Sequence, residues 1–297
     1  MMRSMYAAVA GLRTHQTRMD VIGDNIANVN TPGFKRGRAT FQDIFYQTIR
    51  GGAIGSDIRG GTNPQQVGLG ISLGTIDVIH TQGQSQPTGK LDDIMIQGDG
   101  FFVLREGIDD GAGVGQEYYT RAGAFRFLPH ENGNNYLVNP SNGMYVMDAE
   151  GNAISIPGNA RSFDIDTLGY VHYVDAEGEP FIYPANDEDT AAEPIPIAVA
   201  KFPNPAGLDK AGENLYKYSY AAGVEAGGQA GGPDEIRGGR PTEDGRGSII
   251  PGALEMSNVE LAQEFTEMIV TQRGFQANAR TITVSDEMLN ELTNLKR

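Results

Sequence analysis

The sequence predicts an α+β, multi-layer protein in which paired N- and C-terminal coiled-coil helices flank an antiparallel all-β domain. Three observations carry that expectation. Apolar residues recur every seven positions at both ends of the 297-residue chain. The middle holds many short strand-like runs divided by turn signals. Glycine- and proline-rich stretches separate the two kinds of segment.

At the N-terminus, Met5, Leu12, Met19 and Ile26 are spaced by seven, and Met2 and Val9 precede Met5 and Leu12 by three. That is a heptad seam. The helix is expected to stop before Pro32, since proline disfavours helical geometry at the residue before it, and Asn28, Asn30 and Gly33 add turn chemistry. At the other end Leu261, Met268, Phe275, Ile282 and Leu289 repeat the period, with Phe265, Ala279 and Leu292 widening the stripe. Ser257 followed three residues later by Glu260 reads as a capping box, so a helix is expected from Asn258 to about Leu295. Both stripes are narrow and strictly seven-periodic, which suits two helices paired with each other better than burial in a broad core. Gln16 and Gln272 interrupt the apolar character in or beside the seams.

Between the ends, strand character appears at 75–79, 93–96, 101–104, 169–174 and 195–200. Turn signals such as Gly98-Asp99-Gly100, Glu131-Asn132-Gly133, Ser141-Asn142-Gly143 and Glu150-Gly151-Asn152 divide such runs. Prolines at 180, 184, 194 and 196 place their strands at edges or ends. Gly51 to Gly70 and Gly223 to Gly247, the latter with Gly227-Gly228-Gln229-Ala230-Gly231-Gly232-Pro233, read as legs. The expected organisation is a helical domain of 1–32 with 256–297, extended legs at 33–75 with 221–255, and a β domain at 76–220.

A formal net charge of -15 opposes binding to phosphate backbones or anionic lipid, so nucleic acid is not an expected partner. No segment approaches the ~20 apolar residues that cross a bilayer, and the N-terminus is a poor secretory signal, so no membrane insertion and no cleaved leader are expected. Cysteine is absent, which excludes thiolate chemistry and disulfides. His15, His80, His130 and His172 are scattered without metal-ligand spacing. Asp164, Asp166 and Gly169 suggest a calcium loop only faintly, because Leu168 stands where an oxygen ligand is needed. Phosphate-loop, dinucleotide and nucleophile-elbow motifs are missing. Asp92-Asp93 and Asp187-Glu188-Asp189 read as solvated surface. No cofactor and no catalytic residue are expected.

Asp20-Val21-Ile22-Gly23-Asp24-Asn25-Ile26-Ala27-Asn28-Val29-Asn30-Thr31-Pro32-Gly33-Phe34-Lys35 closely resembles the N-terminal signature of bacterial flagellar rod and hook proteins. The segments 257–265, 272–278 and 286–289 resemble the matching C-terminus, and 62–70, 98–102 and 119–123 are similar to internal family stretches. The resemblance marks Asn25, Asn28, Thr31, Pro32, Gly33 and Phe34 as the family motif. Within the family, Gly274-Phe275-Gln276-Ala277-Asn278 is similar to hook protein, whereas distal rod proteins tend to carry Ala-Tyr-Glu there. Hook proteins of enteric type are longer, however, so distal rod protein is the alternative.

The resemblance implies a structural subunit that polymerises with itself into a helical tube, a universal joint if it is hook and a drive shaft if it is rod. It implies location in the extracellular flagellum after export through the flagellar type III apparatus. Implied neighbours are the hook cap, distal rod and hook–filament junction proteins. Two other classes, a secreted hydrolase and a stalk-displayed adhesin, predict convergent carboxylates or an exposed recognition patch on the β domain, and tubes in electron micrographs would separate the structural reading from both.

Overall fold

The structure, a computed structural model, describes residues 2–55, 60–108, 115–184, 194–223 and 238–295. The carboxylate run Asp187-Glu188-Asp189 and the glycine run 227–233 lie outside the described residues. The chain divides into two compact units, one of residues 1–27, 36–79 and 259–297, the other of 28–35 and 80–258.

The first unit holds two long helices, α1 (Met2–Ala27) and α2 (Leu261–Asn294). With 34 residues, α2 runs about 50 Å. α1 ends before Pro32 as the proline requires, and the next residues turn through Thr31 N–H to the Asn28 carbonyl at 3.1 Å. α2 begins later than expected. Glu260 occupies the N-cap position and its side chain makes no capping bond, so the capping box read from Ser257 and Glu260 is corrected. The physical reason is upstream: Met256 N–H bonds to the Gln84 carbonyl at 2.9 Å, and the Asn258 carboxamide donates to the Thr81 carbonyl and hydroxyl. Those bonds hold 256–258 outside the helix.

The span expected as the first leg carries strands. β1 (Gly37–Asp43) pairs antiparallel with β4 (Ile71–Val78), with a bulge between Ala39 and Phe41. β2 (Tyr46–Arg50) pairs with β3 (Gln65–Gly68). At the bulge a polar pair holds the β1–β4 ladder: the Thr40 and Thr75 hydroxyls lie 2.7 Å apart, and Thr75 N–H donates to Thr40 Oγ1. Cross-strand threonine pairs stabilise a sheet without producing a hydrophobic period.

The second unit contains the antiparallel β domain. Its nine-stranded sheet runs 155–157, 134–138, 145–146, 101–105, 117–120, 215–217, 209–212, with 199–200 also on 101–105 and 126–129 on 134–138. A three-stranded sheet of 162–165, 171–174 and 180–182 places Pro180 first in an edge strand, where its missing N–H costs no ladder bond. Phe102, Leu104, Leu137, Val146, Ile154 and Ile197 are fully buried in one core cluster. A second cluster gathers Phe101, Tyr119 and Phe202, with Tyr119 and Phe202 edge to face at 4.9 Å. Burying each such side chain contributes about 1.5–3 kcal/mol. Residues 248–251 pair with 94–97, and 253–255 with 85–87, so the C-terminal part of the expected second leg is sheet as well.

Candidate functional site

In the first unit, α1 and α2 lie against each other in opposite directions. Gly11 faces Asn278, and four residues on, His15 faces Gly274. Ten residues further along, Asn25 Nδ2 donates to Glu264 Oε2 at 3.2 Å. Arg18 pairs with Glu267 at 3.2 Å. The line of closest approach on α2 is therefore Glu264, Thr271, Asn278 and Ser285, a seven-residue repeat of polar side chains, of which Glu264, Thr271 and Ser285 are buried. Thr271 and Ser285 turn their hydroxyls back to the carbonyls of Glu267 and Thr281, which satisfies them inside their own helix. On α1 the buried residues are Ala8, Gly11, Thr14, Ile22 and Asn25.

The apolar stripes read from sequence form the rows beside that line. Met5, Leu12, Met19 and Ile26 are each half-buried, as are Met268, Phe275, Ala279, Ile282 and Leu289. Leu261, Phe265 and Leu292 are exposed at 40%, 50% and 51%. Gln16 and Gln272 both face solvent. Ile269, Val270, Val284 and Met288 on α2, with Met2, Tyr6 and Val9 on α1, add further exposed apolar side chains. These side chains leave apolar rows of both helices open to solvent in the single chain.

The family-motif residues have distinct tasks. Asn25 brackets Gly37, donating to its carbonyl at 2.9 Å and accepting its N–H at 2.8 Å, while Glu264 also meets Arg36 at 3.5 Å. In the second unit the Thr31 hydroxyl donates to Asn28 Oδ1, and the Pro32 carbonyl accepts from Asn214. Gly33 adopts φ +72°, and a β-carbon there would stand 2.6 Å from the Ala122 nitrogen, so both dihedral and space call for glycine. Its N–H bonds to the Glu255 carbonyl at 2.8 Å. Phe34 is buried beneath Lys210, whose ammonium lies 5.2 Å from the ring centre.

A buried charge cluster follows from Lys35; of its members only Lys35 and Arg121 fall in the family stretches read from sequence, and Glu255 in none. The Lys35 ammonium lies 2.6 Å from Glu255 Oε1, and Arg121 reaches Glu255 Oε2 at 3.2 Å. Gly83 N–H also donates to Glu255 Oε1. Lys35 donates to the Thr81 carbonyl, and Arg121 to the carbonyls of Ile96 and Gly98. One carboxylate thus ties 35, 83 and 121 to 255, four distant points of the chain. Burial pulls the Lys35 and Arg121 pKa values down, and Glu255 opposes that in both. Beside the cluster a cavity of about 180 Å³ is lined by His80, Asp99, Phe101, Arg121, Lys201 and Phe202, among others. Asp99 already pairs with Lys201 at 3.4 Å, and the His80 nitrogens are shut off from solvent. Among the described residues, no three histidines or carboxylates converge as a metal site, and no helix is long and apolar enough to cross a membrane.

Comparison with known proteins places this geometry. Residues 5–35 match the family described as flagella basal body rod protein, 95–173 the flagellar hook protein FlgE/F/G D1 domain, and 250–295 the flagellar basal body rod FlgEFG protein C-terminal family. The chain is 45% identical to the flagellar basal-body rod protein FlgG of Bacillus subtilis (strain 168) over 297 residues, covering all of both. Two proteins of Borreliella burgdorferi also match over the whole of both chains: its FlgG at 35% over 303 residues and its flagellar hook protein FlgE at 30% over 463. The motif residues at Asn25–Lys35 and the α2 residue Glu264 that Asn25 meets fall inside the matched regions, and the chain belongs to the flagellar rod and hook protein family, structural components of the bacterial flagellum.

Proposed function

We propose that the chain is a basal-body rod subunit, the drive-shaft reading, in preference to hook. One observation carries this. Its alignment with a rod protein closes over 297 positions at 45% identity, whereas the hook relative needs 463, so the chain lacks the extra length that the hook relative has. In this reading α1 and α2 pair as a coiled coil in which Met5, Leu12, Met19 and Ile26 with Met268, Phe275, Ile282 and Leu289 flank the polar line, and Leu261 turns to neighbouring copies. The exposed apolar rows of α2 then meet neighbouring copies, and subunits related by contacts that do not close build a tube. Export through the flagellar apparatus, contact with hook and other rod proteins, and transmission of torque follow from the same reading.

Hook remains a second reading because Gly274-Phe275-Gln276-Ala277-Asn278 is similar to hook protein. Deleting the gene and imaging purified basal bodies separates the two. Basal bodies with a shortened or missing rod are expected; a complete rod lacking only its hook would overturn the assignment.

A further inference from the structure

An apolar row with a strict seven-residue period fits its partner equally well after a slip of one heptad, so it cannot by itself choose the register of two helices. α1 and α2 carry a feature that breaks this degeneracy. At Gly11 an added β-carbon would stand 2.5 Å from Asn278 Nδ2, and at Gly274 one would stand 2.7 Å from the His15 ring. Each helix thus presents one glycine notch and one polar knob, four residues apart and in reversed order. The His15 ring is fixed from a third side by Phe41, edge-on at 5.7 Å. Arg18 stands over the same Phe41 ring at 5.7 Å and pairs with Glu267.

A slip of seven residues would set Asn278 against Ser4 or Arg18, and Gly274 against Ala8 or Ile22. Both knobs would then strike side chains, and both notches would lose their filling. The same slip moves Glu264 away from Asn25, leaving a buried carboxylate without that amide.

We propose that Gly11/Asn278 and His15/Gly274 form a reciprocal register key, which holds α1 and α2 in a single alignment against alignments slipped by a heptad.

The test is reciprocal exchange in the full chain. Gly11→Asn, Asn278→Gly and the double exchange are compared, and likewise Gly274→His, His15→Gly and their double. Amide-exchange protection of α1 and α2 is the readout. Each single variant is expected to lose about tenfold or more in protection, and each double to recover to within about threefold of the parent. Helix propensity cannot produce the loss in Gly11→Asn or Gly274→His, because each replaces glycine by a better helix former. A nuclear Overhauser contact between the His15 ring and Gly274 Hα in the parent reports the register directly. Doubles as impaired as the two singles combined, or no such contact, would overturn the key.

Discussion

Acid should weaken the second unit through one residue, His80. Its ring packs 5.5 Å from Phe101 and 5.7 Å from Tyr216, next to the buried cluster of Lys35, Arg121 and Glu255. Burial pushes its pKa down to about 4, helped by the cations Lys35, Arg121 and Lys210 and opposed slightly by the Pro205 carbonyl. The unfolded chain takes up this proton near pH 6.5, while the folded chain refuses it until about pH 4. Stability from this residue is therefore complete above pH 6.5, falls as the pH drops from 6.5 to about 4, and is flat below. A displacement of about 2.5 units corresponds to roughly 3 kcal/mol in all, of which about 2 kcal/mol is lost between pH 7 and pH 5. That is a sizeable part of the 5–15 kcal/mol that typically holds a domain together. Urea unfolding followed by tyrosine near-ultraviolet dichroism at pH 7 and pH 5, for the parent and for His80→Gln, measures it. The parent should lose about 2 kcal/mol more than the variant between the two pH values. An equal loss in both, or a His80 proton titrating near 6.5 by NMR in the folded chain, would refute the reasoning.

Glu255→Gln should destabilise the second unit by about 3–5 kcal/mol, since it leaves Lys35 and Arg121 buried without their shared carboxylate; an unchanged urea midpoint would contradict it. Gly33→Ala should cost more than about 1 kcal/mol, because the residue has φ +72° and no room beside Ala122; a stabilised variant would mean the turn rearranges freely. A fragment of residues 80–258 should give a cooperative β-type thermal transition. One of 76–220 should not, because it lacks the strand opposite Ile94–Gln97 and the Glu255 carboxylate; cooperative melting of the shorter fragment would move the domain boundary inward. Leu261→Asp should leave the monomer's thermal midpoint within about 2 °C and abolish tube formation, because Leu261 is 40% exposed in the single chain and is assigned to the contact with neighbours; normal tubes would place that row in water.

The division into two terminal helices and a central β domain was legible in sequence, because periodicity, proline and turn residues act over a few positions. α1 ends before Pro32 as local sterics demand, and runs such as 101–104 lie in strands. The hairpin of 46–50 with 65–68 was not, since its residues are exposed and Gln65, Gln66 and Gly68 carry little strand signal. The helix start was misplaced because Ser257 and Glu260 have the right spacing for a cap, but bonds from Met256 and Asn258 to a distant part of the chain keep that segment outside the helix. At the candidate site, sequence identified the apolar rows and the motif, while only the tertiary structure decided which row lies innermost. Close approach of two helices rewards glycine opposite a polar knob, and no hydropathy pattern records such a fit. The Lys35–Glu255 pair, 220 residues apart, is the clearest case. A charge looks like solvated surface in any local window, and it is buried here because the fold brings Arg121 and a second cation to the same carboxylate, where their mutual attraction offsets the loss of water.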